Sequence, residues 1–273
     1  MTKSINYRGS LLYYQDEGTG SPVILLHGFG ESGSIWNEQV NFLKPYFRII
    51  IPDLPGSGAS IMPQMGEQFL TMENYADAVK IILQQENINT CTLIGHSMGG
   101  YITMAFAEKY PECLNGFGLF HSTAAADSEE KKTARQKGIA FIESHGPAAF
   151  LEEAIPNLYG AAYKAKNPEG LAKHVEESSA FNATTLISYY RAMMQRPDRK
   201  AILQNFHNPV LFIMGEEDKT VNLQEVLSQS HLPRESHVYI WKAVAHMGMR
   251  EAPEKTNHTL LVYLQHINEN DLE

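Results

Sequence analysis

Six short, nearly unbroken apolar runs constrain this chain more than any other feature. They are VILLH (Val23–His27), Phe47–Ile51, CTLIG (Cys91–Gly95), Phe117–Phe120, PVLFIMG (Pro209–Gly215) and HVYIW (His237–Trp241). Apolar runs of this length, bounded by Gly, Pro or polar residues, read as strands buried on both faces, the kind that fills parallel sheets. Helical spacing lies between most of them. It is clearest at Met72–Glu86 (Tyr75, Ala78, Val79, Ile82, Leu83), at Met98–Lys109, and at Ala252–Ile267 with Pro253 in the first turn. A shorter helix is expected around Trp36, Val40, Phe42 and Leu43. Alternating strands and helices predict an α/β fold, a mostly parallel sheet with helices on both faces. Residues 4–16 read as two strands around Arg8-Gly9-Ser10, an antiparallel N-terminal edge.

Residues 122–206 break the alternation. They carry helical patterns at Ile139–Glu143, Pro147–Ile155, Leu171–Glu177 and Thr184–Gln195, and no strong strand. This segment reads as a helical cap inserted into a core made of 1–121 and 207–273. With 273 residues, 43% of them hydrophobic, the chain can bury one large core and is not disordered. A net charge of −9 with no basic run argues against nucleic acid and anionic membrane surfaces as partners. No apolar run approaches a membrane span, and the first residues lack the apolar core of a signal peptide. A cytoplasmic protein acting on a small molecule is the expectation, with any protein partner unknown. Cys91 and Cys113 read as buried thiols, and neither a metal nor a cofactor is expected.

Chemistry enters at Gly95-His96-Ser97-Met98-Gly99, a G-x-S-x-G string. It directly follows the strand CTLI and opens the next helix. Such a turn forces the serine backbone into strain and projects Oγ clear of the sheet. A serine hydroxyl needs a base held by an acid. In such a sheet the order is Ser, acid, His, each just after a strand. Asp218 follows PVLFIMG, and His246 follows the last strand. Glu216 and Glu217 are the other candidate acids. Of the eleven histidines, His121 competes as base because it ends the fourth buried run; otherwise it lines the pocket. His27 and His96 read as packed structural residues, and His237 as lying at the wrong edge. The N–H groups of Met98 and Phe29 are the expected oxyanion donors. Gly28-Phe29-Gly30-Glu31-Ser32-Gly33 also spells a dinucleotide fingerprint, with Asp53 at the end of the next strand. The helix, however, starts only after these glycines, and Asp53 fits its own turn-forming string better.

These strings resemble the α/β-hydrolase-fold superfamily, in its cap-bearing serine esterase form. The likeness rests on HGFG at 27–30, DLPGSGAS at 53–60, GHSMGG at 95–100, GEEDKTV at 215–221 and AHMGMREAPE at 245–254. It implies Ser97 as nucleophile, Asp218 as acid, His246 as base, Phe29 and Met98 as oxyanion donors, and 122–206 as a lid. Relatives with aspartate at the elbow are epoxide hydrolases and haloalkane dehalogenases; Ser97 departs from both. Lid residues such as Phe150, Tyr190 and Met194 suggest an apolar pocket. A carboxylesterase leads, ahead of C–C, thioester or lactone hydrolysis and perhydrolysis. A hydrolase-fold sensor with slow turnover is the reading from another class.

Overall fold

The computed structural model describes residues 1–270 except 65, 67 and 68. A single eight-stranded sheet runs in the order β1-β2-β4-β3-β5-β6-β7-β8. Its strands are β1 (Thr2–Tyr7), β2 (Ser10–Glu17), β3 (Pro22–Leu26), β4 (Arg48–Pro52), β5 (Cys91–His96), β6 (Leu114–Phe120), β7 (Val210–Gly215) and β8 (Ser236–Trp241). β1 pairs with β2, and β2 with β4, antiparallel; every other pairing is parallel. The expected antiparallel edge and parallel body are both present.

The apolar runs are apolar because both faces are covered. Ile24 and Leu26 of β3 join one core with α2 (Met72–Gln85) and α3 (Met98–Lys109). Val23 and Leu25 join another with α1 (Asn37–Leu43) and α12 (Pro253–Asn270), around Trp36, Leu43, Leu260 and Tyr263. The two-residue period of a strand divides its side chains between these layers. The last strand departs from the expectation of full burial. Val238 and Ile240 are 40% and 41% exposed, because β8 is the outer strand of the order and is covered on one face. β6 also begins earlier than its apolar run, since Leu114 and Gly116 already pair with Cys91 and Thr92. Cys91 and Cys113 are buried free thiols.

Between β6 and β7 the described residues form helices and no strand. They are α4 (Glu129–His145), α5 (Pro147–Ala154), α6 (Ala161–Lys166), α7 (Pro168–Ser178), α8 (Ala183–Gln195) and α9 (Lys200–Asn205), while α10 (Leu223–Leu227) follows β7 and α11 (Gly248–Glu251) follows β8. Three hydrogen bonds tie this segment to loops at the carboxyl ends of the strands: Tyr189 Oη to the Pro55 carbonyl (3.0 Å), Ser178 Oγ to the Gly30 carbonyl (3.0 Å), and His246 N–H to the Leu158 carbonyl (2.9 Å). Asp127, fully buried, accepts from both Arg135 and Arg196, and the Arg196 guanidinium lies 3.7 Å from the Tyr101 ring centroid. Removing one member would leave a buried charge uncompensated, at a cost of roughly 3–5 kcal/mol. Among the described residues no helix is long and apolar enough to cross a membrane.

Candidate active site

Ser97 sits between β5 and α3 with φ 51° and ψ −116°, a left-handed backbone that a serine adopts only when its surroundings enforce it. The crowding that enforces it is visible in its neighbours. A Cβ on Gly95 would strike the Gly99 carbonyl, and one on Gly99 would lie 2.7 Å and 2.8 Å from the Leu26 and His27 carbonyl oxygens. The loop after β3 passes beside the serine, so that a Cβ on Gly28 would stand 3.2 Å from Ser97 Cβ.

The loops after β7 and β8 bring two further side chains to this turn. His246 Nε2 lies 2.9 Å from Ser97 Oγ, and His246 Nδ1 lies 2.8 Å from Asp218 Oδ2. Asp218 Oδ1 accepts from the Thr220 and Val221 N–H groups at 2.8 Å and 3.0 Å. A carboxylate only accepts, so His246 presents Nδ1–H to it and turns the Nε2 lone pair toward Ser97. Burial by itself raises the Asp218 pKa. The His246 charge and the hydrogen bonds from His121 and His246 outweigh it and hold the carboxyl well below the usual range. For His246 burial opposes the imidazolium, and the Asp218 charge prevails, leaving its pKa above the ordinary value. The sequence-predicted Ser97, Asp218 and His246 thus converge, while Glu216 and Glu217 make no such contact among the described hydrogen bonds.

His121 differs from its expected place as a pocket wall. It is fully buried behind Asp218, edge-on to Phe120 and Trp241, and donates Nδ1–H to Asp218 Oδ2 at 3.2 Å. Its ring fits because residue 248 is glycine, where a Cβ would strike Nε2. Phe150 and Tyr190 face the loop after β3. Tyr190 stacks on the Phe29 ring with centroids 4.4 Å apart, and Phe150 meets Phe29 edge-on at 6.3 Å. Met194 is half-buried on α8. A cavity of about 380 Å³ lies against the same loop, lined in part by Ser32, Ser34, His174, Asn182 and Arg250, so a polar space accompanies the aromatic one.

Two residues near the site, Glu31 and Glu251, escaped the sequence reading. Glu31, 4% exposed, accepts the Gly28 N–H at 2.6 Å and contacts His96 Nδ1 at 3.0 Å. His96 Nε2 in turn donates to the His246 carbonyl at 3.0 Å. The Glu31 carboxylate and the His246 carbonyl thus lie at the two nitrogens of the His96 ring. Burial pushes the Glu31 pKa up, but the His96 charge and hydrogen bond outweigh it and bring it to about 2. Glu251 accepts from the N–H groups of Ala245, Met247 and Gly160, fixing the backbone on both sides of His246. The dinucleotide fingerprint therefore has an internal occupant. Glu31 holds the Gly28 N–H, and Asp53 accepts from the N–H of Gly33 and, within its own loop, from that of Ala59.

Comparison with known proteins agrees with this architecture. Residues 21–133 match the family profile described as the alpha/beta hydrolase fold. A thermophilic esterase from Thermogutta terrifontis superposes with a TM-score of 0.91 at 28% identity, covering 98% of this chain and 99% of that one. An enol-lactonase from Burkholderia xenovorans gives 0.88 at 20% identity over 96% and 100%. In sequence, an (E)-2-((N-methylformamido)methylene)succinate hydrolase from Acinetobacter baylyi is 22% identical over 254 residues, 93% of this chain and 94% of that protein. The likeness to the esterase spans nearly the whole chain, and the eight-stranded, mostly parallel sheet with its antiparallel N-terminal edge is that of the α/β-hydrolase fold.

Proposed function

We propose that this chain is a serine hydrolase that cleaves small, fairly apolar carboxylic esters through an acyl-serine intermediate. The observation that carries the reading is the continuous line from Ser97 Oγ to His246 to Asp218, at 2.9 Å and 2.8 Å. Ser97 Oγ attacks the ester carbonyl and gives its proton to His246 Nε2. Asp218 steadies the imidazolium and keeps the ring oriented. The N–H groups of Phe29 and Met98 receive the oxyanion, helped by the positive end of α3. His246 then protonates the leaving alkoxide and activates the water that releases the acid. One histidine handles every proton, so this mechanism calls for no metal or cofactor. Helices α4–α9 act as a lid, and their hydrogen bonds to the Pro55, Gly30 and His246 loops support that role.

The likeness to an esterase supports ester cleavage, and the likeness to an enol-lactonase names the nearest competing bond type. The test is a panel of p-nitrophenyl esters of increasing acyl length with one enol-lactone, assayed on wild type and Ser97→Ala. Ester turnover and labelling by a fluorophosphonate probe are expected in wild type alone. Labelling that survives in Ser97→Ala identifies another nucleophile. Lactone turnover without ester turnover moves the activity to the competing bond.

A further inference from the structure

At the edge of the sheet opposite Ser97, three side chains converge on one point. Glu235 Oε1 lies 2.9 Å from His237 Nε2 and 2.5 Å from His266 Nε2. The two imidazole centroids are 4.8 Å apart, and the three donor atoms all lie within 4.8 Å of one another. We propose that Glu235, His237 and His266 form a binding site for a divalent ion of the zinc class, tying α12 to the amino end of β8.

The donor set fits such an ion. Two imidazole nitrogens and one carboxylate oxygen suit a borderline metal such as Zn²⁺, whereas Mg²⁺ and Ca²⁺ take oxygen ligands. Zn–N and Zn–O bonds of about 2.0–2.1 Å put tetrahedral ligands about 3.3 Å apart. The two Glu235–imidazole distances need to open by less than about 1 Å to admit the ion. Without it, both imidazoles direct an Nε2–H at the same oxygen; the ion takes the place of those two protons between the three ligands.

The ligands are also held by their elements. The Glu235 carbonyl accepts from Val210 N–H at 3.0 Å, so its backbone continues the sheet. His237 lies within β8 opposite Leu211, with its ring edge-on to Tyr263 at 5.3 Å. His266 is on α12, which is anchored one turn away by Tyr263 Oη donating to the Phe117 and Pro209 carbonyls. The three side chains are 42%, 22% and 35% exposed, which leaves room for a water as fourth ligand. This site is independent of the proposed hydrolysis. The residues Ser97, Asp218 and His246 follow the carboxyl ends of β5, β7 and β8, while Glu235 precedes β8.

The experiment titrates the metal-stripped full chain with ZnCl₂, by calorimetry and by thermal melting. Wild type should bind an ion saturably, and its Tm should rise by roughly 5–10 °C at a hundredfold excess over Kd. The double variant His237→Gln/His266→Gln should melt cooperatively without metal, lose that binding step and lose the Tm rise. Glu235→Gln, which keeps the shape and loses the charge, should weaken binding at least tenfold. His121, Asp218 and His246 could also gather around an ion, so the decisive quantity is the stoichiometry lost between wild type and the double variant. Absence of saturable binding in wild type overturns the proposal. So does a double variant that binds zinc as wild type does, which would leave the three residues a hydrogen-bonded surface cluster.

Discussion

His121 Nδ1 lies 3.2 Å from Asp218 Oδ2, the same oxygen that His246 Nδ1 holds at 2.8 Å. An oxygen divided between two donors pulls less on each. Burial holds the His121 pKa near 4 against the opposing pull of Asp218, so the ring is neutral near pH 7. Its Nε2 has no partner among the described residues, which leaves Asp218 as its polar contact. The groups that act on His246 are Asp218, Glu31 and Glu251, all raising its pKa against burial. With His246 as the proposed base, turnover should fall as pH drops through a value above the ordinary 6.5. His121→Leu leaves Asp218 Oδ2 to His246, and this acid limb should move up by roughly half to one pH unit. His121→Asn, which keeps an N–H at the same place, should stay near wild type. A limb that moves in neither variant would reduce His121 to a space-filling role.

Glu31 links the loop after β3 to the backbone of the proposed base through Gly28 on one side and His96 on the other. In Glu31→Gln the size is kept, but the amide cannot accept from both partners with a full charge. The expected loss is roughly 2–4 kcal/mol of stability and a kcat lower by about 10–100-fold. The pH dependence has a definite sign. The folded-state pKa of about 2 lies below the ordinary 4.5, so the contribution is complete above 4.5 and is lost as pH falls toward 2. Melting wild type and variant from pH 6 to pH 3 should show the gap between them narrowing. A constant gap would assign the loss to packing.

Gly95 has no room for a methyl group, because its Cβ would strike the Gly99 carbonyl and Thr103 Oγ1. Backbone cannot move aside as a flexible side chain does, so Gly95→Ala should open the turn that carries Ser97. The expectation is a Tm at least 10 °C lower, or no soluble protein. Gly9→Ala is the control. Its φ is +81° and nothing lies within 4 Å of its Cβ, so only the strain of roughly 1–2 kcal/mol remains. Equal losses at both positions would refute the steric account.

The part of the site that could be read in advance was the part written locally. Ser97 lies in a strand–turn–helix string, and Asp218 and His246 each follow an apolar run, so strand ends alone put them on one edge. The Glu31–His96 contact joins residues 65 apart and carries no periodic signal. His121 was visible as a strand-end histidine, but its partner was not, because the β7 loop folds back only in three dimensions. The exposed face of β8 depends on strand order, which apolar runs do not encode. Within 122–206 the signal weakened with burial. In α4 only Gly138 and Ile142 are buried, so only Ile139–Glu143 read as helix, and α6 buries nothing and showed no pattern.

The aromatic side chains over Phe29, in the proposed oxyanion loop, bear on chain-length preference. Phe150 meets Phe29 at its edge, 6.3 Å between centroids, while Tyr190 lies face to face with it at 4.4 Å. If the acyl chain passes Phe150, truncation to Ala removes a wall without touching the reacting atoms. A methylene in an apolar pocket is worth roughly 1–3 kcal/mol of discrimination. Phe150→Ala should therefore shift the optimum toward longer esters, mainly through KM, with acetate-sized esters keeping their kcat. Tyr190 supports the residue whose N–H is proposed to hold the oxyanion, so Tyr190→Ala should add a fall in kcat shared by every ester. Two esters of different length, with a melt on each variant, separate the roles. A parallel loss on both esters in Phe150→Ala, with a lowered Tm, would mean that Phe150 fastens the helices to the loop and does not shape the pocket.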